Sequence, residues 1–343
     1  MPFILIVCKC MLLVVILHKK LLFLDGCEIE RQIQKQRVIR RIMMKKTMRK
    51  ICLVLALVLL LSSCAFSSSK DKLKIVDSKI SEGKLVTAMI KMLVEDRTDV
   101  VVEVLEAKNA LNSYKEVERG NADAFKTYDG TVLATFLRYS VKAVPEGSTV
   151  YEFVNEKLAE DNLELLKKLG NNNTYAIAVT PAVMEKYNLK TISDLAECAP
   201  ELVFCAEHEF FNEEGNIKFG TLSEKYGLTF KDTRSVDIAM KYLALFNEGV
   251  DVALVYATDG MNLATDLVIL EDDKGFFPDY YGALMVRSEI FDKYGKELRD
   301  VMNLLEGLLP NDEMTKLTYE VDVKLRDVNE VAKEFLVEKG LLK

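Results

Sequence analysis

The sequence predicts an α/β fold whose sheets are covered by helices on both faces. From Leu73 onward, short β-branched runs alternate with segments whose apolar residues recur at helical spacing. The alternation starts afresh at Thr174, after the asparagine-rich loop Asn171 to Asn173. The chain's 343 residues, 50% hydrophobic and 29% charged, provide enough material for two lobes with their own cores.

In chain order, the first folded element is a strand at Leu73 to Asp77. A helix follows at Ser81 to Glu95, where Leu85, Val86, Met89, Met92 and Leu93 share one face, and then a strand at Val100 to Leu105. The pattern continues with a helix at Ala110 to Arg119, a strand at Ala122 to Thr127 and helices at Val132 to Tyr139 and Val150 to Lys168. The second series holds strands at Thr174 to Val179, Leu202 to Ala206, Val252 to Tyr256 and Leu267 to Leu270. A last strand from Ala283 precedes helices at Lys296 to Leu309, Asp312 to Asp322 and Val328 to Glu338.

Upstream of these elements the chain reads as a targeting segment. Met44-Lys45-Lys46-Thr47-Met48-Arg49-Lys50 is a basic start, followed by the apolar run ICLVLALVLLLSSC. Leu61-Ser62-Ser63-Cys64 fits a lipobox, which predicts cleavage before Cys64 and lipid on its thiol. The apolar run is shorter than the roughly 20 residues a membrane span requires. Residues 43–63 are therefore expected to be a signal peptide and 64–71 a lipidated tether. Residues 1–42, broken by Lys9, Lys19 and Lys20, are expected to be an upstream extension foreign to the working protein.

Charge and motifs narrow the function. Residues 1–63 hold 12 Lys and Arg against 3 Asp and Glu, leaving 34 basic and 50 acidic groups and a formal charge of −16 on the rest. That balance argues against nucleic acid as a partner. With two histidines, His18 and His208, and neither a CxxC nor an HExxH pattern, a metal site has little support, and no cofactor is expected. An exported Cys198 and Cys205 could pair or stay as small core residues; spacing does not decide between them. No GxxxxGK[ST] loop is present, so any ATPase must be a separate chain.

Four tyrosines stand out from the others because they fall at strand ends or in loops: Tyr128 in YDGT, Tyr175 in NNNTYAIAV, Tyr256 in YATDG and Tyr280 in GFFPDYYGA. Open α/β sheets place ligands at such positions. Aromatic ring faces attract cations, each contributing on the order of 0.5 to 2 kcal/mol. Tryptophan is absent, which leaves tyrosine for that role.

Read in order, these segments resemble the substrate-binding proteins of osmoprotectant ABC importers, the glycine betaine, carnitine and choline group. The resemblance runs from about Leu73 to the C-terminus. It implies a two-lobed, type II periplasmic-binding-protein fold with the ligand cleft between lobes. Lobe 1 would comprise residues 72–169 plus 277–343, and lobe 2 residues 170–276. It also implies capture without catalysis: closure of the lobes around a quaternary ammonium solute, then delivery to a permease and its ATPase from the outer face of the cytoplasmic membrane.

In the family pattern, Tyr128, Tyr175, Tyr256 and Tyr280 match the cage and Thr131 matches a threonine at the ligand's polar end. Three positions depart from it. Asp129 stands where a threonine is more usual, the segment EFFNEEGN carries Glu213 nearest the place of an arginine, and SKISEGK carries Lys84 at the place of a glutamine, so that Lys84 or Lys79 could meet a carboxylate. Two other classes stay open: an exported enzyme acting on a quaternary amine, and a surface receptor for a cationic solute that does not serve transport.

Overall fold

The computed structural model describes residues 72–212, 216–237, 240–243 and 249–343, with Lys35, Met43 and Met44 upstream. The lipobox, Cys64, the tether and Glu213 lie outside the described residues. Two five-stranded sheets organise the molecule.

The first sheet has the order β2-β1-β3-β10-β4, with β1 at Leu73–Val76, β2 at Val102–Leu105, β3 at Ala124–Tyr128, β4 at Leu163–Leu165 and β10 at Gly282–Arg287. β1 runs parallel to β2 and β3, while β10 runs antiparallel to β3 and β4. The second sheet has the order β7-β6-β8-β5-β9, from β5 at Tyr175–Val179, β6 at Val203–Glu207, β7 at Asp232–Val236, β8 at Val252–Tyr256 and β9 at Val268–Ile269. There β6 is parallel to β7 and β8, and β5 is antiparallel to β8 and β9.

The central strands are buried on two faces, which is why β8 and β10 read as nearly continuous apolar runs. Along β10, Leu284 and Val286 enter one core with the Ser81–Arg97 helix, while Ala283 and Met285 enter the opposite core with Phe125, Phe136 and Phe153. Along β8, Val252 and Leu254 face one core and Ala253 and Val255 the other. The C-terminal Val328–Glu338 helix, capped by the Asp327 carboxylate on the amides of Asn329 and Glu330, buries Val331, Ala332, Phe335 and Leu336. Each of the larger side chains contributes about 1.5 to 3 kcal/mol by leaving water.

Two stretches connect the sheets, and they run side by side. Asn172 bridges Tyr281, the Asn173 amide donates to the Tyr280 carbonyl at 3.0 Å, and the Asn172 carboxamide oxygen accepts from the Tyr280 amide at 2.6 Å. The Asn311–Thr318 helix adds a third tie. It packs on the Ser81–Arg97 helix beside the first sheet, while its Thr318 hydroxyl donates to the Thr258 carbonyl beyond β8 at 2.9 Å.

Two strands depart from the sequence expectation. The helix expected over Val150 to Lys168 ends after Ala159, Asn162 takes a left-handed φ of 57°, and the chain emerges as β4. β7, Asp-Thr-Arg-Ser-Val, has no apolar alternation because it is an edge strand without a fully buried residue. The helix expected from Val132 to Tyr139 is a π-helical turn at Val132–Phe136. Cys198 and Cys205 are both buried thiols, and burial raises the pKa of Cys198.

Candidate functional site

The strand register brings the tyrosines to the ends of central strands in each sheet. Tyr128 is the last residue of β3, and Tyr280 stands two residues before β10, whose Gly282 pairs with Tyr128. Their ring centroids are 5.0 Å apart with planes at 32°. In the second sheet Tyr175 opens β5 directly opposite Tyr256, the last residue of β8, and these rings are 5.1 Å apart at 33°. Antiparallel pairing is what places the start of one strand beside the end of its neighbour.

Between these walls lies a cavity of about 460 Å³, within the usual size range of small-molecule sites. Tyr128, Tyr256 and Tyr280 line it. Tyr175 packs tilted against Tyr256 from outside the lining, and the Thr131 hydroxyl is 2.5 Å from the Tyr280 hydroxyl, so both support rings that line the cavity. Gly130 is required by close approach: a Cβ there would stand 2.3 Å from the Tyr280 ring. Lys84 and Lys79 do not line the cavity; Lys79 borders a separate surface groove with Glu106 and Lys115.

At the base of the cavity stands Glu82, which the sequence reading passed over. It lies in the first turn of the Ser81–Arg97 helix and is 3% exposed. Its Oε1 accepts from the Lys126 ammonium, from the Tyr128 hydroxyl at 2.7 Å and from the Asn171 amide at 2.6 Å. Its Oε2 accepts from the Thr258 hydroxyl at 2.7 Å and the Asn173 amide at 3.3 Å. Five donors, two on β3, two on one connecting stretch and one just beyond β8, thus converge on one carboxylate. Burial alone would raise its pKa, but the Lys126 charge and the hydrogen bonds outweigh burial and hold it below the ordinary carboxylate value.

Lys126 and Tyr128 are two residues apart on β3, so they share a face, and the Lys126 ammonium sits 3.2 Å from the Tyr128 ring centroid. The second wall repeats the theme. Lys241 is buried, pairs with Glu207 at 3.0 Å and lies 4.5 Å from the Tyr256 ring centroid. Tyr128, Tyr256, Tyr280 and Tyr175 all have raised pKa values, chiefly because burial disfavours the phenolate. They therefore present neutral rings at physiological pH.

The remaining lining is polar. Asp259 caps the Gly260–Ala264 helix through the Met261 amide at 3.0 Å and accepts from the Tyr242 hydroxyl at 2.7 Å. Thr318 and Asp322 come from the C-terminal segment, and Asp322 receives the Ser81 hydroxyl. A serine and an aspartate 241 positions apart give no signal in sequence. Glu82 did leave one, a charged residue on the helix face that also carries Leu85, Val86 and Met89.

Residues 71–338 match the family model described as the substrate binding domain of ABC-type glycine betaine transport system. The chain belongs to this family. Among the family's relatives, the carnitine transport binding protein OpuCC of Listeria monocytogenes strain 10403S is 33% identical over 292 residues, 83% of this chain and 93% of its own. The ergothioneine transport permease/ergothioneine binding protein EgtU of Helicobacter pylori strain G27 is 31% identical over 231 residues, 67% of this chain and 41% of its own. A crystal structure titled glycine betaine/carnitine/choline ABC transporter superposes with a TM-score of 0.74 at 29% identity, covering 79% of this chain and 99% of that one. The fold is the two-lobed binding-protein architecture, and the named relatives are transport binding proteins rather than enzymes.

Proposed function

We propose that this protein is the extracytoplasmic solute-binding component of an ABC importer and captures a quaternary ammonium compatible solute in a tyrosine cage. One observation carries the reading: in a chain of this family, two tyrosine pairs from opposite sheets flank a single cavity of ligand size. Tyr128, Tyr280 and Tyr256 would face the methylated head, with Tyr175 and Thr131 buttressing them. Rings contributing about 0.5 to 2 kcal/mol each supply a large part of the roughly 8 kcal/mol of micromolar binding.

Lobe 1, 72–169 plus 277–343, and lobe 2, 170–276, would close on the ligand about the paired stretches near Asn172 and Tyr281. The closed form would then dock on a permease, with lipid on Cys64 keeping the protein at the membrane. An equilibrium titration of the full chain with glycine betaine, carnitine, choline and a control amino acid tests the reading. Saturable binding of at least one trimethylammonium compound, weakened by Tyr256→Ala, is expected. Binding of none of them, or unchanged affinity in that variant, would remove it.

A further inference from the structure

The cavity's charged lining is of one sign. Glu82, Asp259 and Asp322 face it, and among the described residues no lysine or arginine does. Glu82 is matched by Lys126. Among the described residues, the two aspartates are bound by neutral donors: Asp259 by the Tyr242 hydroxyl and the Met261 amide, Asp322 by the Ser81 hydroxyl. Among the described residues, Lys241 pairs with Glu207, Lys324 with Glu320, and Arg326 with Glu320 and Glu334, while Lys79 and Lys84, which flank Ser81 in the chain, stand outside the lining. The second-lobe positions outside the description, 213–215, 238–239 and 244–248, contain no lysine or arginine in sequence.

A zwitterion brings both a cation for the rings and a carboxylate that needs its own partner. In this cavity the carboxylate would exchange water for a wall holding two aspartates and no cation. A ligand with a hydroxyl in place of the carboxylate meets acceptors instead, from Asp322, Asp259 and the hydroxyls of Thr258 and Thr318. Discrimination here comes from the repulsive element as much as the attractive one.

Resting on the quaternary ammonium reading above, we infer that the cavity is specific for a carboxylate-free trimethylammonium alcohol of the choline type, with Asp322 a specificity-determining residue. Asp322 is the informative position because it is exposed at the rim on the Tyr319–Val323 π-helical turn, and an asparagine there can still accept from Ser81. Asp259, by contrast, also caps a helix.

The test is isothermal titration of the full chain and of Asp322→Asn with choline, glycine betaine and carnitine, with a thermal melt of each protein to confirm folding. Choline should bind the parent at least about tenfold more tightly than either zwitterion, and Asp322→Asn should narrow that ratio severalfold. Glycine betaine or carnitine binding as tightly as choline would overturn the inference while leaving the importer reading in place. A choline preference unchanged in Asp322→Asn would remove Asp322 from the selection. Binding of none of the three would overturn the inference together with the reading beneath it.

Discussion

The two walls of the cavity are built alike and held differently. Each has a tyrosine pair at nearly the same spacing and tilt, and each sets a buried lysine, paired with a glutamate, against the ring of a strand-end tyrosine. On the first wall, Glu82 is satisfied by five donors that cross from one sheet to the other. On the second, Glu207 meets Lys241 through Oε1, while its buried Oε2 has no hydrogen-bond partner among the described residues. The same motif thus serves as a hub between lobes in one place and as a local ion pair in the other. Networks of the first kind fix a unique arrangement because every member depends on the rest.

The largest expected effect breaks this comparison most directly. Glu82→Ala strands the Lys126 charge and four neutral donors, and should cost at least about 3 to 5 kcal/mol in denaturant unfolding. Glu207→Ala should cost less, and equal losses would show that the hub has no special standing. The pH sign follows from the lowered pKa of Glu82. Its stabilising contribution is present above the unfolded-state value of 4.5 and disappears as pH falls through the lower folded value, so the parent should lose stability in acid more steeply than Glu82→Gln.

Ligand binding separates the members of each pair. Tyr256→Ala removes a lining ring and should weaken trimethylammonium binding by about tenfold or more. Tyr175→Ala, which removes only the ring behind it, should cost less in the same titration. On the first wall, Gly130→Ala forces a Cβ into the Tyr280 ring and should loosen binding severalfold, with about 1 to 3 kcal/mol of lost stability in the same unfolding assay.

The smallest expected effect is a gain. Asp129 is buried beside Tyr280, and burial raises its pKa to about 6 although the amides of Gly130 and Tyr281 both donate to it. Between the unfolded value of 3.8 and about 6 the folded state holds the extra proton, so this residue's contribution falls as pH rises through that window. Both amides bond one oxygen, Oδ1, which an asparagine also has. Asp129→Asn should therefore be more stable than the parent at pH 8, with the difference vanishing near pH 4 in thermal melts.

Local pattern made much of this legible in sequence. Helix spacing located Val328–Glu338 to the residue, and strand ends singled out the four tyrosines. β4 escaped because Leu163 and Leu165 continue a helical pattern that only Asn162 interrupts, and β7 because an exposed edge needs no apolar residues. The polar half of the site escaped for a different reason. Glu82 takes its meaning from Lys126, Asn171 and Thr258, which lie 44, 89 and 176 positions away. Lysines of the SKISEGK segment drew attention by their charge, yet the helix turns its glutamate inward and leaves Lys79 exposed.

The central claim is that ring faces hold a positive charge. Calorimetric titration of the full chain with choline and with its uncharged carbon isostere, 3,3-dimethyl-1-butanol, tests it most directly, because shape and hydroxyl are kept and only the charge is removed. The account expects choline to bind and the isostere to bind at least about a hundredfold more weakly. Equal binding of the two would contradict it, since the cavity would then be an apolar slot and its tyrosines no cage.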